Sequence, residues 1–168
     1  ETLKFLSISD VPKNNELMAF TCSGGGATMV ADASEKVSVD LPKFKENDVE
    51  ELQGLLPEIA TVSNPLDYTT PIWGIAEKTY PVFFESIKRS KAGTAILVQD
   101  YPAQVFGKSK VPYLTDAKAF IKASKALNVA AAICSTFPEN LTKEVRKLLL
   151  MHKVAPMQGI NETILAIK

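Results

Sequence analysis

Two periods of hydrophobic and polar residues alternate along the chain. Short runs dominated by apolar residues occupy positions 17–22, 59–63, 93–99, 128–135 and 154–157, each of strand length and each bounded by glycine, proline, asparagine or charged residues. Between them the apolar positions recur at helical spacing. Val49, Leu52, Leu55 and Leu56 mark a helix over 45–56 that Pro57 stops. Ala76, Tyr80, Phe83, Phe84 and Ile87 form a stripe over 75–91, with Pro81 disturbing its first turn. Ala117, Phe120, Ile121 and Ser124 define the inner face of a helix that Thr115 or Asp116 caps and that runs to about 127. Leu141, Val145, Leu148 and Leu149 do the same over 138–152, and 160–168 closes the chain as a helix. Residues 27–37 suit a helix packed on a sheet, and 100–112, with two prolines and a glycine, reads as a long loop.

Strands alternating with helices of this length predict an α/β fold with a parallel sheet between two helical layers. Five strands fit a flavodoxin-like, doubly wound, three-layer α/β/α arrangement with right-handed crossovers. Residues 16–168 form this one domain. Residues 1–15, carrying Leu3, Phe5 and Leu6, read as a lead-in segment from an upstream domain. The chain begins with Glu1 and no methionine, so we expect a piece of a longer protein.

Composition narrows the function classes. Nineteen basic residues balance nineteen acidic ones, which gives no bulk charge for a nucleic acid or an anionic membrane surface. No apolar run approaches the length needed to cross a bilayer. Cys22 and Cys134 lie in apolar runs without a neighbouring histidine or second cysteine, so they read as buried thiols of a cytoplasmic protein and not as metal ligands.

In a doubly wound sheet, ligands bind beyond the carboxyl ends of the strands, where strand order reverses. The loops at that edge are Ser23–Gly26, Asn64–Thr70, Gln99–Tyr101 and Ser135–Thr136. Ser23, Gly24, Gly25, Gly26 and Ala27 join a strand directly to a helix. Backbone amides at a helix start lack intrahelical partners and sit at the positive end of its dipole, so an anion, above all phosphate or sulfate, satisfies both. The bland alternative is a tight turn that needs glycine for positive φ. The stretch matches neither the P-loop nor the dinucleotide fingerprint, because no Gly-Lys-Ser/Thr follows and position 29 is Met. Asn64 and Asp67 read as supports, Asp67 capping a turn or holding the glycine loop. Asp100 and Tyr101 are placed on a substrate-side loop. His152, the single histidine, falls at a helix end on the opposite edge, so the chain offers no catalytic residue or triad of its own.

The ordered set Ser23-Gly24-Gly25-Gly26-Ala27, Ala31-Asp32, Leu41-Pro42, Leu55-Leu56-Pro57, Asn64-Pro65-Leu66-Asp67, Ala155-Pro156-Met157 and Asn161-Glu162-Thr163 resembles the NDP-forming acyl-CoA synthetases, relatives of succinyl-CoA synthetase. The resemblance is to their second flavodoxin-like domain. It implies a parent enzyme that uses ATP/ADP, Mg and CoA and works through a phosphohistidine. It further implies that this domain alone binds no cofactor, and that its partners are a CoA-binding domain, an ATP-grasp domain and the segment bearing the phosphohistidine. The Ser-His-Thr-Gly-type segment that carries that histidine in the family has no counterpart in this sequence. A non-catalytic, flavodoxin-like anion-binding or interface module is the alternative.

Overall fold

A computed structural model describes residues 1–101 and 110–168. The sheet within them is five-stranded and wholly parallel, with β1 (Leu17–Thr21), β2 (Leu66–Asp67), β3 (Thr94–Val98), β4 (Ala130–Ser135) and β5 (Ala155–Gln158) in the order β2-β1-β3-β4-β5. This is the flavodoxin-like order, with its reversal between β1 and β3. Helices α1 (Thr2–Ile8), α2 (Gly24–Val37) and α7 (Ile160–Ile167) cover one face. Helices α4 (Ala76–Ser90), α5 (Lys110–Ala126) and α6 (Lys143–Met151) cover the other, and α3 (Glu46–Gln53) leans on α4. There Arg89 of α4 pairs with Asp48 and Glu51 of α3.

Alternation along the strands sorts the core into two layers. Leu17, Ala19, Ile96, Val98, Ala132, Cys134, Ala155 and Met157 face α1, α2 and α7. Met18, Phe20, Ala95, Leu97, Ala131 and Ile133 face α4, α5 and α6. The first layer is aliphatic and small; the second holds Phe20, Phe83, Phe120 and Tyr68 in edge-to-face contact. Phe5 of α1 is fully buried in the aliphatic layer, and the nearby Ser9 hydroxyl accepts from the Ala131 amide.

Four expectations require correction. Residues 59–63 form no strand: Ile59 is 73% exposed, and β2 comes later and is two residues long. The amide of Asn64 does the upstream work instead. Its Oδ1 accepts from Ala19 N and its Nδ2 donates to Leu17 O, so β1 is satisfied on that side by a side chain. Helix α2 starts at Gly24 and not at 27, so the glycines are its first turn. Helix α5 is already formed at Lys110, ahead of the expected cap at Thr115 or Asp116; the expected loop over 100–112 otherwise falls on 102–109, outside the described residues. The helix expected over 138–152 divides into a 3-10 turn at Pro138–Asn140 and α6, which Thr142 caps by accepting from Val145 N.

Candidate functional site

The carboxyl edge of the sheet gathers the ends of β1, β2, β3 and β4, and α2 rises from its centre. Ser23, in extended conformation, caps α2 by accepting from Gly26 N at 3.5 Å, and its carbonyl takes the Ala27 amide at 3.1 Å. Among the described residues no acceptor meets the amides of Gly24 and Gly25, and both glycines are exposed. Two donors at the positive end of a 14-residue helix therefore face outward.

None of these glycines has a positive φ, so the tight-turn explanation does not account for them. Gly26 has a different cause. A Cβ there would stand 2.7 Å from Thr21 Oγ1, closer than van der Waals contact permits. Glycine lets α2 begin directly against the end of β1. A Cβ on Gly24 would lie 3.7 Å from Asp67 Oδ2, in ordinary contact, and one on Gly25 would meet only Ser23.

Asp67 ends β2 beside this turn. Its Oδ1 accepts from Thr69 N at 3.0 Å and so caps the turn that follows β2. Its other oxygen faces the glycine turn, but no bond to the turn's amides forms among the described residues. Asn64 supports the edge from below through its bonds to β1, and also donates to Pro42 O. Asp100 joins the ends of β3 and β4, its Oδ1 accepting from Thr136 N at 2.9 Å. Tyr101 points into the protein: it is 3% exposed, its ring stands 6.3 Å from that of Tyr113, and burial raises its hydroxyl pKa. The sheet thus brings Ser23–Ala27 and Asp67 together and holds Asp100 and Tyr101 one strand away.

The sequence pattern misplaced Asp116. It is no cap but a fully buried carboxylate in the body of α5. Tyr68 Oη donates to its Oδ2 at 2.8 Å and Gly74 N to its Oδ1 at 2.9 Å. Burial raises its pKa, against the opposing pull of those hydrogen bonds. Tyr68 is raised well above the usual tyrosine value by burial and by Asp116. A helical stripe hides such a residue, because an aspartate after a threonine reads as a start signal.

Cys22 and Cys134 are free and lie on opposite faces of the sheet; Cys134 is buried as expected, whereas Cys22 is only half-buried. Cys134 receives a hydrogen bond from Thr163 Oγ1, and burial pushes its thiol up to about 12. His152 closes α6 just before β5, at the amino edge, opposite the glycine turn. Among the described residues no three histidine, cysteine, aspartate or glutamate side chains cluster to hold a metal ion, and no helix is long and apolar enough to cross a membrane.

Comparison with known proteins places this arrangement. No protein-family profile matches the chain. The chain is 37% identical over 57 residues to the alpha subunit of acetate–CoA ligase (ADP-forming) II of Pyrococcus furiosus, which is 34% of this chain and 12% of that protein. It is 30% identical over 67 residues to acetate–CoA ligase (ADP-forming) of Methanocaldococcus jannaschii, 40% of this chain and 10% of that protein. The fold recurs in a protein of Pyrococcus horikoshii OT3, with a TM-score of 0.77 at 20% identity over 98% of this chain and 36% of the other. It recurs again in an acetyl-coenzyme A synthetase of Ca. Korarchaeum cryptofilum solved with phosphate and ADP, with a TM-score of 0.72 at 19% identity over 98% of this chain and 34% of the other. The chain spans only a minor part of each of these proteins. Part of the chain is thus similar in sequence to ADP-forming acetate–CoA ligases, and nearly all of it shares its fold with a segment of larger archaeal proteins.

Proposed function

We propose that this chain supplies the phosphate-facing side of an NDP-forming acyl-CoA synthetase, the enzyme class that converts acyl-CoA, a nucleoside diphosphate and phosphate reversibly into acid, nucleoside triphosphate and CoA. The observation that carries the reading is the pair of outward-facing amides at Gly24 and Gly25. Phosphoryl transfer asks the protein mainly for fixed donors aimed at oxygens that carry charge, and amides of a helix start need no rearrangement to serve. Within the turn Ser23, Gly24, Gly25, Gly26 and Ala27, the Gly24 and Gly25 amides bind the anion and the Ser23 hydroxyl hydrogen turns toward it, while the Gly26 and Ala27 amides, bonded to Ser23, hold the turn's shape. Asn64 fixes β1 beneath the turn, Asp67 sets the neighbouring loop, and Asp100 and Tyr101 shape the substrate-side loop.

His152 lies on the far edge of the sheet, so a phosphohistidine reaches the turn only from another domain or subunit. Nucleotide, Mg and CoA belong to those partners as well. The chain's own part is to orient and hold a phosphoryl or acyl-phosphate group presented to it. On this reading the chain alone takes no label from ATP and makes no acyl-CoA.

One observation favours a second reading. The Asp67 carboxylate beside Gly24 repels an anion and suits an interface module whose turn meets a neutral acceptor such as a backbone carbonyl. Crystals soaked in phosphate separate the two. The synthetase reading expects an anion within hydrogen-bond distance of Gly24 N and Gly25 N, and an empty turn at saturating phosphate favours the interface module.

A further inference from the structure

The loop that carries Asp67 is tied to β1 at its start, where Tyr68 N donates to Thr21 O at 2.9 Å, and is held from below by one carboxylate. Residues 67–75 cross from β2 to α4 at the edge where the glycine turn opens. Tyr68, immediately after Asp67, and Gly74, near the loop's far end, both donate to Asp116 of α5. Asp116 is 0% exposed, and among the described residues no lysine or arginine pairs with it. A buried carboxylate with no cation is costly, and it persists where its hydrogen bonds do something for the surrounding structure.

The rest of the loop shows what that is. Thr69, a β-branched residue, is held at a φ of 64°, a conformation unfavourable for its side chain. Its amide is spent on Asp67 Oδ1. Gly74 has a φ of 75° and lies so close to α5 that a Cβ would collide with the Pro112 ring. The loop is thus pressed onto α5 in a strained shape with Asp116 as its anchor. Its first residue, Asp67, is fixed in its backbone by β1 but presents its carboxylate next to amides that a carboxylate would readily cap.

We propose that Asp116 is a positioning residue whose grip on Tyr68 and Gly74 keeps Asp67 from closing over the Gly24 and Gly25 amides, so that the turn stays open to phosphate. The proposal rests on the reading of the glycine turn as a phosphate site. Released from Asp116, the loop relaxes at Thr69, whose amide lets go of Asp67 Oδ1, and the Asp67 side chain turns to the positive end of α2.

The test is a titration of the full chain with inorganic phosphate, followed by amide chemical shifts at Gly24 and Gly25. Asp116→Asn weakens phosphate binding by about fivefold, the size of a charge taking up a helix terminus. Tyr68→Phe, which removes one hydroxyl and leaves the carboxylate, weakens it in the same direction. Asp67→Asn combined with Asp116→Asn restores the affinity, because the competing carboxylate is gone. Ile164→Val, a destabilised control in the opposite core layer, lowers stability and leaves affinity unchanged. Equal affinity for wild type, Asp116→Asn and Tyr68→Phe overturns the proposal, as does a double variant no better than Asp116→Asn. If the wild type binds no phosphate, the functional reading fails, and the ligand-free spectra decide this inference. Movement of the Gly24 and Gly25 amides in Asp116→Asn that Asp67→Asn reverses supports the anchor, and unmoved amides overturn it.

Discussion

The two faces of the sheet are built on different chemistry. Toward α1, α2 and α7 the strands offer Ala19, Ala132, Ala155 and Cys134, small side chains that let helices approach closely. Toward α4 and α5 they meet a stack of aromatic rings, with Phe83 touching Phe20, Phe120 and Tyr68 edge to face. The small face brings α2 hard against the end of β1, where Gly26 leaves no space beyond Thr21. The aromatic face is thick enough to enclose Asp116 and, through it, to hold the loop beside the turn. One face places the amides; the other governs what stands next to them.

Removing a ring should reveal the aromatic face as the main source of stability. Phe120→Ala is expected to cost about 3–5 kcal/mol in urea unfolding, whereas Ile164→Val on the aliphatic face costs about 0.5–1.5 kcal/mol. Equal losses would mean that the contrast between the layers carries no energetic weight.

The close approach of α2 gives the next largest effect. Gly26→Ala forces a methyl against Thr21 Oγ1 and is expected to destabilise by about 1–3 kcal/mol. Thr21→Ala in the same chain should recover most of that loss. No recovery would show that Gly26 is there for another reason.

The aromatic face should also make stability depend on pH. Because burial raises the pKa of Asp116, its favourable contribution is complete below the ordinary carboxylate value and is lost as pH rises through the folded value. Asp116→Asn removes this dependence. Measured by urea unfolding, stability of the variant relative to wild type should therefore improve as pH rises from about 4 toward 7. A difference that stays constant with pH would contradict a raised Asp116 pKa. The smallest effect belongs to the turn itself. Asp67→Asn alone should tighten phosphate binding about two- to threefold at low salt and less at high salt, as expected for one partly exposed charge.

The layers and the strand order were legible in the sequence because periodicity reports burial directly. Of the four strands that run through the core, β1, β3 and β4 lie within the apolar runs that predict them, and β5 extends one residue past its run, to Gln158. The edge was harder. Apolar residues at 59–63 resemble a strand, yet the pairing they suggest is made by the Asn64 side chain, and no pattern of hydrophobicity encodes an amide standing in for a backbone. The glycine run was legible as the approach to a helix from 27, although the helix already begins at Gly24 and the reason for Gly26 is a contact with Thr21, a residue in the preceding strand. Asp116 was not legible at all as a buried anchor. Its partners Tyr68 and Gly74 are 48 and 42 residues away, and only the folded chain shows that they meet.

The proposed role of the chain depends on whether the start of α2 receives an anion. Titrating the uniformly labelled chain with inorganic phosphate and following every backbone amide tests this directly. Gly24 and Gly25 should shift together along one saturating curve, with Gly26 and Ala27 following, while signals around His152 and Lys153 stay still. Flat responses at the two glycines, or a saturating response confined to the His152 end, would contradict it.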